Sequence, residues 1–210
     1  MADESNVVST SLELSLSDQQ TAQLKKFCAL LKQWNQTYNL VSAKDIDALW
    51  PRHILDSLSI GPELTGDRIL DLGSGAGLPG LPLAITEAQR QFTLLDSVGK
   101  KTRFCQQVVM ELGLNNVEVV NERAEHYQAE LPFATVTARA VAPLAKLIDS
   151  CQHLLAPTGR IVAMKGRYPT AELDQMPADW VVHKVTRVDT DGGQAERHIV
   201  VMQKANQISE

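Results

Sequence analysis

The chain has few cysteines and no pattern among them. Cys28, Cys105 and Cys151 are the only three in 210 residues, odd in number, far apart and without a Cys-x-x-Cys pair. That excludes a disulfide framework and a zinc knuckle. Each thiol is expected to fill core in reduced form, and no metal site is expected. No run of about 18 apolar residues occurs, so no membrane-spanning helix is expected. The start, Met1-Ala2-Asp3-Glu4, has neither the basic residues nor the apolar stretch of a signal peptide. The expected compartment is the cytoplasm. Positive charge is scarce: 20 Lys and Arg stand against 25 Asp and Glu, a net charge of −5. Broad, indiscriminate nucleic-acid binding is therefore disfavoured, although a local basic face can coexist with an acidic total. Internal repeats and low-complexity segments are also absent.

What is present is the composition of one large globular domain, or one domain with a small extension. Residues 1–16 are Ser-rich, carry little pattern and read as a frayed end. Ser17-Asp18-Gln19-Gln20 fits a capping box. Leu24, Phe27, Leu31, Trp34 and Tyr38 then recur at helical spacing. A second helix is expected from Pro51, a residue suited to the first helical position, with Ile54, Leu55 and Leu58 inward. Arg52 and Asp56, four apart, read as a surface ion pair of small worth.

From Arg68 the pattern alternates. Strands are expected at Arg68–Leu72, Gln91–Leu95, Val117–Asn121, Ala134–Ala138 and Arg160–Met164. Helices are expected at Leu78–Ala88, Lys100–Leu112 and Leu144–Leu155, with a short turn near Ala124–Tyr127. Near-continuous apolar strands separated by helices imply a mostly parallel α/β sheet covered on both faces. Trp180–Val188 and His198–Gln203, joined by Asp189-Thr190-Asp191-Gly192-Gly193, read as an antiparallel pair at one edge.

Chemistry enters at Asp71-Leu72-Gly73-Ser74-Gly75-Ala76-Gly77-Leu78-Pro79-Gly80. A strand ends in an acid, and glycines then let the backbone turn sharply and a ligand approach closely. Two cofactor classes compete. Gly75-x-Gly77-x-x-Gly80 matches the dinucleotide fingerprint, with pyrophosphate on the helix N-terminus. Against that, Asp71 would lie beside the diphosphate and repel it, whereas it suits the amino group and sulfonium of S-adenosylmethionine. The loop also follows a long helical lead-in, and the chain closes on a late antiparallel pair. Asp96, ending the second strand, can accept both ribose hydroxyls.

Asp71 through Gly77 resembles motif I of class I methyltransferases, and Leu94-Leu95-Asp96-Ser97 resembles their second-strand acid. Further stretches narrow the likeness: Trp34-Asn35 with Tyr38-Asn39-Leu40, Arg52-His53-Ile54-Leu55-Asp56-Ser57, Gly73 through Gly80, Leu94-Leu95-Asp96-Ser97-x-Gly99-Lys100, and Arg139-Ala140. Together they resemble the small-subunit ribosomal RNA methyltransferase G family, also called glucose-inhibited division protein B, over nearly the whole chain. The resemblance implies a Rossmann-like class I fold with a mostly parallel seven-stranded sheet and an antiparallel C-terminal edge pair. An N-terminal helical extension would span residues 1–66 and the methyltransferase domain residues 67–210. The cofactor would be S-adenosylmethionine, bound by Asp71, Gly73, Gly75, Gly77, Leu78, Asp96, Ala124, Glu125 and Arg139. Gly73 and Leu78 would line its methionine side, and Ala124-Glu125 would flank its adenine. Arg139 would face the methyl-transfer cleft. The implied reaction is methylation of guanine N7 in the 530 loop of 16S ribosomal RNA in bacteria, on the 30S particle or an assembly intermediate, by a monomer.

Guanine N7 carries a lone pair and no proton, so attack needs no general base and rests on orientation. The Asp/Asn-Pro-Pro-aromatic motif of amino-group methyltransferases is absent, its place being taken by Thr137-Ala138-Arg139-Ala140. The Pro-Cys nucleophile of cytosine C5 enzymes is absent too. Arg139 can donate to guanine O6 or to phosphate, or can form a structural salt bridge to an acid such as Asp71 or Glu125. Lys100, Lys101, Arg103, Arg123, Lys165, Arg167 and Arg197 fall mostly near strand ends and are candidate phosphate contacts. His53 and His198 read as structural. A small-molecule methyltransferase, a cofactor-sensing binding protein and an NAD-type oxidoreductase remain the alternatives.

Overall fold

Ser17 opens the first helix in the computed structural model, which describes residues 10–11, 15–42, 46, 48–139, 141–190 and 196–205. Both halves of the capping box form: Ser17 Oγ accepts from the Gln20 N–H at 3.2 Å, and Gln20 Oε1 accepts from the Ser17 N–H at 2.9 Å. The helix, α1 (Asp18–Tyr38), ends on Asn39 in the left-handed region, where asparagine is tolerated. The expected second helix begins as a wide turn, Trp50–Ile54, before one regular turn, α2 (Leu55–Leu58). Pro51 has no N–H to donate, which costs nothing in a first turn.

The sheet comprises β1 (Thr10–Ser11), β2 (Arg68–Leu72), β3 (Gln91–Leu95), β4 (Val117–Val120), β5 (Phe133–Arg139), β6 (Leu155–Lys165), β7 (Trp180–Asp189) and β8 (His198–Lys204). Its order is β1-β7-β8-β6-β5-β2-β3-β4. The pairs among β2 to β6 are parallel, while β8 runs antiparallel to both β6 and β7. Seven of these strands are the expected ones. The eighth corrects the reading of residues 1–16 as frayed: Thr10–Ser11 pairs parallel with the edge of β7, whose unpaired backbone groups offer a ladder. The remaining residues of that segment before Ser15 lie outside the described ones, as does Asp191–Gly193 of the β7–β8 connection.

Helices α3 (Gly80–Thr86), α4 (Gly99–Leu112), α5 (Leu144–Cys151) and α6 (Thr170–Leu173) complete the chain. The strands alternate side chains between two cores, as a pleat requires. Ile69, Phe92, Leu94, Val162 and Val201 face α1, α3 and α4. Leu70, Leu72, Leu95, Ile161 and Val200 face α5. Helix α1 is built into the first core: Phe27 and Trp34 meet Phe104 of α4 with ring centres 6.2 and 5.6 Å apart. The three cysteines are free, with Cys105 and Cys151 buried and Cys28 partly so. Burial holds the Cys28 thiol up at about 11 and that of Cys151 at about 12. Among the described residues no helix is long and apolar enough to cross a membrane, and no group of three or more His, Cys, Asp or Glu could hold a metal ion.

Candidate cofactor and methyl-transfer site

The chain runs from β2 outward to β4 and then returns to the other flank of β2 as β5. Ligands in such sheets sit at that switch, beyond the carboxyl ends of the strands. A cavity of about 530 Å³ lies there, lined by the segments after β2, β3, β4 and β5. The lead-in closes one side with Leu40, Val41, Ser42 and His53. The volume falls in the usual range for small-molecule sites, roughly 300–1,000 Å³.

Gly75 is the pivot of the glycine loop. Its φ is +57° and a Cβ there would meet no protein atom closer than 3.8 Å. Conformation, and open space toward the cavity, make glycine suitable. Its N–H donates to Asp96 Oδ2 at 2.9 Å, and the Val98 N–H donates to Asp96 Oδ1 at 2.8 Å. Asp96 is thereby fixed on the cavity wall with a second lone pair free on each oxygen. Lys101 Nζ lies 3.7 Å from Oδ2. Beside Gly75, the Ser74 Oγ is buried without a hydrogen-bond partner among the described residues and lines the same cavity. An orphaned hydroxyl there is what a polar ligand would satisfy.

Of the expected site residues, Gly73, Gly75, Leu78, Asp96, Ala124, Glu125 and Arg139 are brought together around the cavity. Asp71 and Gly77 do not line it. Asp71 is fully buried beneath the loop, accepting the Gly80 N–H at 2.8 Å and the Thr137 hydroxyl at 3.2 Å. The reading of Asp71 as a direct partner of a cationic ligand is corrected accordingly: it ties β2 to the start of α3. Burial pushes its carboxyl up to about 7, against the pull of the Gly80 N–H, the Thr137 hydroxyl and Arg139. Gly80 has no room for a Cβ, which would fall 2.2 Å from Leu94 and 2.6 Å from Asp71 Oδ2. With its N–H given to Asp71, Gly80 cannot offer it to a pyrophosphate, which weakens the dinucleotide alternative.

Arg139 ends β5 at the cavity, its side chain one-fifth exposed. The structural pairing with an acid is present, through Asp56, and the Arg139 charge also pulls the Asp71 carboxyl down. The Arg139 terminal nitrogen contacts His53 Nδ1 and lies 3.8 Å from Asp56 Oδ2. The reading of Asp56 as half of a surface pair is corrected as well, because α2 turns that carboxylate inward to 3% exposure. Arg197 Nε lies 3.2 Å from its Oδ1. Several expected phosphate contacts are also engaged within the protein. Lys100 donates to the Tyr38 carbonyl at 2.9 Å. Lys165 pairs with Glu172 at 2.7 Å and donates to the Ala142 carbonyl at 2.8 Å. Arg103, Arg123 and Arg167 are exposed and make no ion pair among the described residues. His198 is structural in its packing, edge-on to Tyr168, and burial lowers its pKa.

The sequence reading missed the wall supplied by Leu40–Ser42, the role of Ser74, and the convergence of His53, Asp56 and Arg197 on Arg139. The run Arg52-His53-Ile54-Leu55-Asp56 was the available signal: a histidine and an acid three apart share one helical face.

Solved structures similar in fold to this chain include methyltransferases. TrmN from Thermus thermophilus matches with a TM-score of 0.57 at 19% identity, over 72% of this chain and 48% of that one. A precorrin-6y C5,15-methyltransferase from Geobacter metallireducens matches at 0.54 and 17%, over 80% and 92%. These establish the fold. Two relatives named ribosomal RNA small subunit methyltransferase G are far nearer in sequence. The one from Marinobacter nauticus is 48% identical over 92% of this chain and 91% of its own. The one from Yersinia pseudotuberculosis is 46% identical over 90% and 92%. The family model for rRNA small subunit methyltransferase G matches residues 20–200. With likeness spread over lead-in, loop and sheet alike, the chain belongs to the rRNA small subunit methyltransferase G family, whose members use S-adenosylmethionine.

Proposed function

We propose that this protein methylates N7 of a guanine in the 530 loop of 16S ribosomal RNA, in the cytoplasm, with the 30S particle or an assembly intermediate as substrate. S-adenosylmethionine fits the residues present: Gly75 leaves open space, Ser74 Oγ awaits a partner, and Asp96 keeps acceptor capacity for ribose hydroxyls. Gly73 and Leu78 would hold the methionine side, and Ala124 with Glu125 the adenine. Bound there, the cofactor supplies an electrophilic methyl group. The protein then has to exclude water and orient the target base.

The observation that carries the reading is the β5 end of the cavity. It presents a guanidinium and an imidazole, Arg139 and His53, while the nearest carboxylate, Asp56, is buried against arginines. A guanidinium donor at that end suits a nucleophile that has no proton to lose, and Arg139 can donate to guanine O6. The family match and the relatives' names support ribosomal RNA as the substrate class.

The test is methyl incorporation from labelled cofactor into naked 16S RNA, 30S particles and a pool of small metabolites. Transfer to RNA, with 7-methylguanosine found on mass spectrometry of the digest, is the expected result. Transfer to a metabolite with none to either RNA form would overturn the reading.

A further inference from the structure

The lead-in brings to this site one carboxylate that methyl transfer to a proton-free nitrogen does not require. Asp56, on α2, is 3% exposed and lies between guanidiniums from two distant parts of the chain. Its Oδ2 is 3.8 Å from Arg139 at the end of β5, and its Oδ1 is 3.2 Å from Arg197, just before β8. His53 contacts the same terminal nitrogen of Arg139 and lines the cavity. Asp56 itself does not line it.

We propose that Asp56 is a positioning residue for methyl transfer: it clamps the Arg139 guanidinium against His53, with Arg197 anchoring its other oxygen. The proposal rests on reading the cavity as a guanine methyl-transfer site. A lone arginine side chain samples many rotamers, whereas a planar guanidinium held on one edge presents its remaining N–H groups in a fixed direction. The carboxylate is hard to release, because a buried charge that loses its partners is strongly disfavoured. A pure staple between lead-in and sheet exists for comparison: Lys184 and Glu63 pair at 2.7 Å, away from the cavity.

The experiment combines a mutant cycle with a spectroscopic readout. Wild type, Asp56→Asn, Arg139→Ala, the double variant and Glu63→Gln are compared in single-turnover methylation of 30S particles at saturating cofactor. Cofactor affinity comes from calorimetry. Asp56→Asn is expected to slow transfer at least about tenfold, with cofactor affinity within about threefold of wild type; in the Arg139→Ala background it adds less than about twofold, because the group it positions is gone. Glu63→Gln leaves the rate unchanged. An equal slowing by Asp56→Asn in both backgrounds would mark a staple and overturn the proposal. Arginine side-chain NMR on ¹⁵N-labelled protein supplies the second readout: the Arg139 Nε–H is ordered in wild type and becomes mobile in Asp56→Asn. An Arg139 signal equally ordered in both proteins would overturn the proposal even if no RNA proves to be a substrate, a result that would separately sink the proposed function. Should Asp56→Asn not fold, Arg197→Gln removes the other anchor. It should mobilise Arg139 and slow transfer, and the proposal fails if it does neither.

Discussion

Asp71 and Asp96 both follow apolar strand residues in neighbouring parallel strands, yet they serve different ends. Asp71 pairs in register with Leu94 and Thr137, inside the sheet, whereas Asp96 stands one residue beyond Leu95 at the rim. That single step separates a buried carboxylate from one on the cavity wall, and residue type alone does not reveal it. The burial has a thermodynamic signature. The Asp71 carboxyl titrates near 3.8 when unperturbed and at about 7 in the fold. Between those values the native state holds a proton that the unfolded chain has lost. Stability from this group is therefore full at low pH and falls as pH rises from about 4 to 7, by on the order of 4 kcal/mol. Asp71→Asn can still accept from the Gly80 N–H, and the Thr137 hydroxyl can turn to the Leu70 carbonyl. Urea unfolding across pH 4–8 should find this part of the slope missing in the variant; an identical slope would contradict the assignment. At the rim, Asp96→Ala should weaken S-adenosylmethionine binding by roughly 1–3 kcal/mol, through ribose hydroxyls left unpaired. Gly75→Val should cost more, because a β-branched residue resists φ above zero. Calorimetry that finds both affinities unchanged would remove the proposed cofactor roles.

At the scale of elements, periodicity and caps were the legible part. The capping box at Ser17 forms as the spacing predicts, and Ser17→Ala should cost about 1 kcal/mol of stability in denaturant unfolding. The α1–α4 contact is worth more: Phe104→Ala removes a fully buried ring touched by Phe27 and Trp34 and should cost about 3–5 kcal/mol. A loss below about 1 kcal/mol would mean the ring is not a keystone of that core. Apolar strands such as Arg68–Leu72 and Gln91–Leu95 coincide with their expected ends, because burial on both faces leaves an uninterrupted signal. The start of β6 was less visible. Pro157 and Gly159 resemble a turn, but the register against β5 jumps from Leu155 to Arg160 and absorbs them, as irregularities in a ladder allow. Helix α6 is one turn and has no period to read. Its Glu172 nevertheless accepts the Leu144 N–H at 2.8 Å and pairs with Lys165, which engages one of the expected phosphate contacts within the free protein. Tertiary ties of this kind, like the Asp56 cluster, join residues too far apart in sequence for spacing to reveal.

For the whole molecule, the lead-in and the sheet share one hydrophobic core, in which Leu24, Phe27 and Leu31 meet Ile69, Leu81 and Phe104. Removing residues 1–66 should therefore leave a chain that does not unfold cooperatively, which circular dichroism with denaturant would detect. An independently stable 67–210 fragment would contradict that expectation. The same integration bears on how an acidic protein meets RNA. With a net charge of −5, long-range attraction is weak, and the cations that act must stand near the cavity and be free of internal partners. Lys100, Lys165 and Arg197 are engaged by Tyr38, Glu172 and Asp56, whereas Arg123 is exposed on the cavity wall and Arg167 is exposed just past the carboxyl end of β6. Arg123→Gln and Arg167→Gln should each flatten the salt dependence of 30S binding by about 0.7–0.9 of a logarithmic unit per tenfold change in salt. Lys165→Gln should leave that slope alone and lower stability instead, because it strands Glu172. Few free cations also imply that shape supplies much of the recognition, so the folded particle should outperform naked 16S RNA, and more so as salt rises. Binding isotherms at three salt concentrations separate the cases. A slope that Lys165→Gln reduces as much as Arg123→Gln does would mean that RNA pulls Lys165 from Glu172, and that the free protein's ion pairs do not mark which cations meet phosphate.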